Sequence, residues 1–148
     1  MILTTFCVFI FWCILACTFG YVEAYIWHLN ATHLKPLTKA QNQGLHYFFT
    51  YQRFIGLLIC QIPLVVVSYY TGDPYPWSFP LALFFIFPFF HSGSMFSKRH
   101  DLGAMAYERG WWSDPSVTSL ARFNFSNMQR LTFFAVGLTI YILWLISV

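Results

Sequence analysis

The sequence predicts an all-α, polytopic integral membrane protein: a bundle of four transmembrane helices with a juxtamembrane helix before the last one. Three observations predict it. First, the 148 residues are 58% hydrophobic, 22% aromatic and only 9% charged, whereas soluble domains carry roughly 25% charge. So few charges cannot cover a water-facing surface. Second, four apolar runs recur along the chain, each near the roughly 20 helical residues that cross a bilayer core. Third, all eight lysines and arginines fall in two stretches between those runs. The whole chain therefore reads as a single transmembrane domain, residues 1–148.

Residues 2–27 form the first run, interrupted only by Glu23. The run has no basic leader, and its apolar character continues through Val22 and Ile26. It is therefore expected as a retained helix and not a cleaved signal. Residues 54–70 form the second span, opened by Arg53 and carrying Gln61 and Pro63. The third is shorter: residues 77–90 are apolar apart from Ser78 and contain Pro80 and Pro88, so the span reaches bilayer length only as residues 75–93. Residues 131–148 form the fourth.

Charge placement decides whether the third run crosses or re-enters. Lys35, Lys39 and Arg53 flank one connection, and Lys98, Arg99, Arg109, Arg122 and Arg130 flank another; residues 71–76 between them contain no basic residue. With four crossings, both basic connections, 28–53 and 94–130, lie on one side of the membrane. The positive-inside rule makes that side cytoplasmic. Both chain ends are then expected on the non-cytoplasmic side of a bacterial inner or organellar membrane.

Within the long connection, Asp114 followed by Pro115 reads as a helix start, with the carboxylate capping exposed N–H groups and proline at the first helical position. That juxtamembrane helix is expected to run through Arg122 and Arg130 into the fourth span. Trp111 and Trp112 beside it suit the headgroup level. Cys7, Cys13, Cys17 and Cys60 all lie in apolar runs without metal-ligand spacing and read as small packing residues. The net charge of +3 is accounted for by orientation, so nucleic acid is not an expected partner.

Helix geometry locates the polar groups. Ala16, Gly20 and Ala24 recur every fourth residue, the small-residue pattern by which membrane helices approach closely; Gly56 and Gly137 suggest similar seams in the second and fourth spans. Glu23 lies about 60° round from Gly20 at 100° per residue, so its carboxylate flanks the packing face. Gln61, Arg53 and Arg130 are its expected partners, in a polar network at the cytoplasmic end of the bundle. Such groups are costly in a membrane unless paired or wet.

The same region supports two other readings. Glu23, His28, His46 and His91 are candidate ligands for a divalent metal, and His46 with His91 for a haem iron. Against the metal, Glu23 and His28 sit about 140° apart on an ideal helix, and no HxxH or HExxH spacing is present. Oligomeric channel or transporter activity is a further alternative, because Pro63, Pro80 and Pro88 free backbone carbonyls that can line a cavity. The leading expectation is non-catalytic and needs no cofactor. It is a small subunit or assembly component of a larger membrane complex, with the lipid bilayer and other membrane chains, identical or different, as partners.

Overall fold

The computed structural model describes residues 1–32, 37–114 and 125–147, apart from the side chain of Lys39. It contains four long helices: α1 (Ile2–Thr32), α2 (Lys39–Thr71), α3 (Ser78–Asp101) and α4 (Asn127–Ser147). Each is long and apolar enough to cross a membrane. Two short 3₁₀ turns, Met105–Tyr107 and Gly110–Trp112, follow α3. No strand occurs among the described residues.

The helices outrun the apolar segments that announce them. At 1.5 Å per residue, the 31 residues of α1 and 33 of α2 extend roughly 45–50 Å, well beyond a hydrocarbon core of about 30 Å. Most of the expected connection 28–53 is therefore helical, and α3 continues past residue 93 to Asp101. Local chemistry sets these ends. Thr38 and Gln41 form a reciprocal capping box: the Gln41 N–H donates to Thr38 Oγ1 at 3.3 Å and the Thr38 N–H to Gln41 Oε1 at 3.0 Å. Ser126 and Gln129 repeat it at the start of α4, at 3.3 and 2.8 Å. Gly72, at φ 72°, closes α2 in the left-handed conformation that glycine adopts without strain. Pro63 and Pro88 lie within α2 and α3, whereas Pro80 sits in the first turn of α3.

The juxtamembrane helix expected from Pro115 through Arg122 lies outside the described residues. Asp114 does act as a cap, but of α4: its Oδ1 accepts the Asn127 N–H at 2.8 Å.

α3 is the centre of the fold, with α1 on one side and α4 on the other; α2 packs mainly on α1. The α-amino group of Met1 lies 3.6 Å from the Asp73 carboxylate, and Trp144 meets Phe79 at 6.3 Å between ring centroids. The start of α1, the α2–α3 connection and the end of α4 thus share one end of the bundle. The end of α1, the start of α2, the 3₁₀ turns and the start of α4 share the other.

Apolar burial against lipid gains little, so close backbone approach and interhelical hydrogen bonds carry the packing. Ala16, Gly20 and Ala24 are all buried in the α1 seam. A Cβ on Gly20 would overlap the His91 carbonyl oxygen and Ser94 Oγ of α3, and one on Gly137 would lie 2.7 Å from the Ala82 carbonyl oxygen. Gly56 gives way to Phe19, whose ring would stand 3.2 Å from an added Cβ. Trp12 is fully buried and donates its indole N–H to the Leu83 carbonyl at 2.9 Å. Rings fill the α3–α4 seam, with Phe89 and Phe134 at 4.7 Å and Phe79 and Tyr141 at 5.5 Å between centroids.

Candidate functional site: a buried carboxylate joining three helices

Three helices each contribute one side chain to a single point. Gly20 lets α1 approach α3 at His91, and one position round the helix Glu23 turns its carboxylate into the same seam. Glu23 Oε2 lies 3.0 Å from His91 Nε2 and pairs with Nη2 of Arg53, which reaches in from α2. The glutamate and histidine side chains are 6% and 5% exposed, against 30% for Arg53. The cluster is therefore sealed on the α1 and α3 sides and reaches the surface along the arginine.

Neighbouring aromatics fix the geometry. The Trp27 indole N–H, one turn after Glu23, donates to Oε1 at 3.4 Å. Phe87, one turn before His91, stacks on the imidazole at 4.9 Å between centroids, and the Arg53 guanidinium stands 5.7 Å from the same ring. A carboxylate can only accept, so the His91 proton is assigned to Nε2, facing Glu23. Arg53 Nη2, 3.1 Å from Nε2, then serves chiefly the carboxylate. The paired charges of Glu23 and Arg53 cancel, which is the condition for holding either inside a membrane. Arg53 Nε is buried without a hydrogen-bond partner.

The remaining candidates lie elsewhere. Arg130 does not meet Glu23. Its guanidinium, in a residue only 1% exposed, donates to the Trp111 carbonyl at 3.0 Å, to the Ser113 carbonyl at 2.9 Å and to Asn127 Oδ1. The reason is position: Arg130 sits in the first turn of α4, where the chain after α3 folds back over it. Gln61 also serves another role, accepting from the Tyr75 hydroxyl at 2.7 Å while donating to the Leu57 carbonyl at 3.0 Å. Gln61 thus ties α2 to the connection that follows it.

His46 packs on Trp27 at 5.0 Å between centroids, two turns along α2 from Arg53. It touches the cluster through the indole and does not face His91. His28 is half-buried near the end of α1. Of the four residues considered for a metal, the structure brings only Glu23 and His91 together. Among the described residues no three His, Cys, Asp or Glu side chains form a group able to hold an ion. A cation bridging Glu23 and His91 would have to displace the Arg53 guanidinium from the carboxylate.

Two aromatic residues outside the expected network, Trp27 and Phe87, complete the site. Trp27 sits four residues after Glu23, the spacing at which helical side chains meet, so that contact has a readable signal. Phe87, four residues before His91, carries the same signal for its stack on the imidazole; its contact with Arg53 has none, because it depends on how α2 and α3 are juxtaposed.

Fold and site together define a four-helix integral membrane protein braced by an internal ion pair. Comparison with protein-family models, curated proteins and solved structures finds no match to this chain.

Proposed function

We propose that the chain is a non-catalytic subunit or assembly component of a larger membrane complex. The observation that carries this reading is the outward face of α2. Tyr51, Ile55, Leu58, Ile62 and Val65 are each more than half exposed and follow one another at helical spacing. Their ridge is continuous, contains no charge and flanks a helix that touches the remainder of the fold mainly through α1. It offers a neighbouring membrane helix a long side to pack on. The Glu23 carboxylate, meanwhile, is occupied in bracing, which supports a structural role over a reactive one.

The orientation proposed with it follows the positive charge. Lys98, Arg99 and Arg109 share one end of the bundle with the start of α2, and that end faces the cytoplasm. A photo-reactive residue at Leu58 tests the assembly reading in native membranes. A protein adduct of defined mass supports it. Lipid adducts alone at Leu58 and Ile62, with a single monomeric species in mild detergent, would overturn it.

A further inference from the structure

An open cleft of about 350 Å³ lies between α1, α3 and the second 3₁₀ turn, lined by Cys17, Thr18, Tyr21, Ser94, Lys98 and Trp111 among others. It is separate from the Glu23 cluster and sits near the end of the bundle that carries the basic residues. We propose that it is a binding site for one anionic phospholipid, with the headgroup phosphate on Lys98 and the upper part of an acyl chain lying along α1.

The distribution of polar atoms carries the assignment. Along the wall below Lys98 the hydroxyls of Thr18 and Ser94 are already engaged: Thr18 Oγ1 donates to the Ile14 carbonyl at 2.9 Å, and Ser94 Oγ lies 3.0 Å from the carbonyls of both Cys17 and His91. The walls there present carbon and the Trp111 indole, whose ring rests against Gly93, where a Cβ would collide with it. At the mouth the position is reversed. Lys98 Nζ donates to the Tyr21 hydroxyl at 2.8 Å and stands 4.3 Å from that ring's centroid. An ammonium has three donors, so it keeps two for a ligand. Among the described residues no carboxylate lies within 4.0 Å of Lys98, and none lines the cleft.

A cation at the rim above an apolar wall complements a molecule with an anionic head and a hydrocarbon tail. From Val22 to Cys17 the wall runs about 7 Å along the helix axis, enough for the glycerol region and the first carbons of a chain. The membrane supplies such a ligand at this depth, since anionic headgroups gather at basic juxtamembrane residues. A free phosphate would use the rim and leave the wall empty.

Native mass spectrometry of the purified full chain, loaded with phosphatidylglycerol or phosphatidylcholine of identical acyl chains, tests this. The wild type is expected to retain phosphatidylglycerol about fivefold better. Lys98→Gln should erase that preference and Lys98→Arg should keep it. Arg99→Gln should also leave it unchanged, because Arg99 packs over the Tyr107 ring, outside the cleft. Thr18→Trp, at an exposed position, should fill the cleft and lower retention of both lipids. Equal retention of the two lipids by the wild type would overturn the proposal, as would a preference unaffected by Lys98→Gln. Displacement by millimolar inorganic phosphate, with Thr18→Trp silent, would reduce the cleft to a small-anion site and overturn the lipid assignment.

Discussion

Replacing Glu23 with glutamine keeps the side-chain shape and removes the charge, leaving Arg53 facing the His91 ring without a counter-ion. Removing one partner of a fully buried pair costs about 3–5 kcal/mol. The Arg53 side chain is 30% exposed and so only partly enclosed, and about 2–3 kcal/mol is the expectation. For a chain of 148 residues that corresponds to a melting temperature lower by about 5–10 °C. The assay is thermal unfolding in mild detergent, followed by circular dichroism. Arg53→Met should cost a similar amount. The double variant Glu23→Gln/Arg53→Met should cost clearly less than the sum, because neither charge is then stranded. Thr139→Val, which removes only an exposed hydroxyl bonded within α4, serves as the control. Purely additive losses, or losses no larger than the control's, would refute the bracing argument.

Three further predictions address the packing. Gly20→Ala and Gly137→Ala place a methyl group against a neighbouring helix backbone and should each cost about 1–3 kcal/mol. Gly44→Ala, with open space around its added Cβ, should instead be neutral or gain up to about 1 kcal/mol from helix propensity; the same unfolding assay separates them. Arg130→Met removes the donors that hold the Trp111 and Ser113 carbonyls, so limited proteolysis should cut the segment between α3 and α4 faster while α1 and α2 stay intact. Tyr75→Phe should lower stability by about 1 kcal/mol through loss of its bond to Gln61. Gln61→Leu added to it should cost little more, because the two act as one unit.

The existence of the four helices is legible in the sequence because hydropathy at bilayer length is a strong signal, and the structure contains four such helices. Their ends are less so. Apolar runs stop at the first polar residue, whereas α2 runs from a capping box to the left-handed Gly72 and α4 starts at a second capping box. The start signals were nevertheless written in the chain: Thr38-Lys-Ala-Gln41 and Ser126-Asn-Met-Gln129 both carry the spacing of a capping box. Moving those boundaries changes the depth of the site. Arg53 and His91 lie well inside α2 and α3, not at their ends. The meeting of Glu23 with a cation follows from a rule that sequence can supply, since a lone carboxylate in an apolar run needs a counter-charge. The choice of Arg53 over Arg130 does not follow from it. Arg130 is held by backbone carbonyls of a segment that folds back on α4, and carbonyls leave no trace in residue identity. The same limit applies to Gln61, whose partner Tyr75 becomes close only once α2 has turned at Gly72.

The most direct measurement concerns the contact that joins the three helices. Magic-angle-spinning NMR of isotope-labelled protein in lipid bilayers reads the through-space couplings from Glu23 Cδ to His91 Nε2 and to the Arg53 guanidinium nitrogens. The structure, with Oε2 of Glu23 at 3.0 Å from Nε2 and paired with Arg53, predicts strong couplings to both. A Glu23 carboxyl carbon coupled to neither, in a protein whose four helices are otherwise intact, would contradict the account.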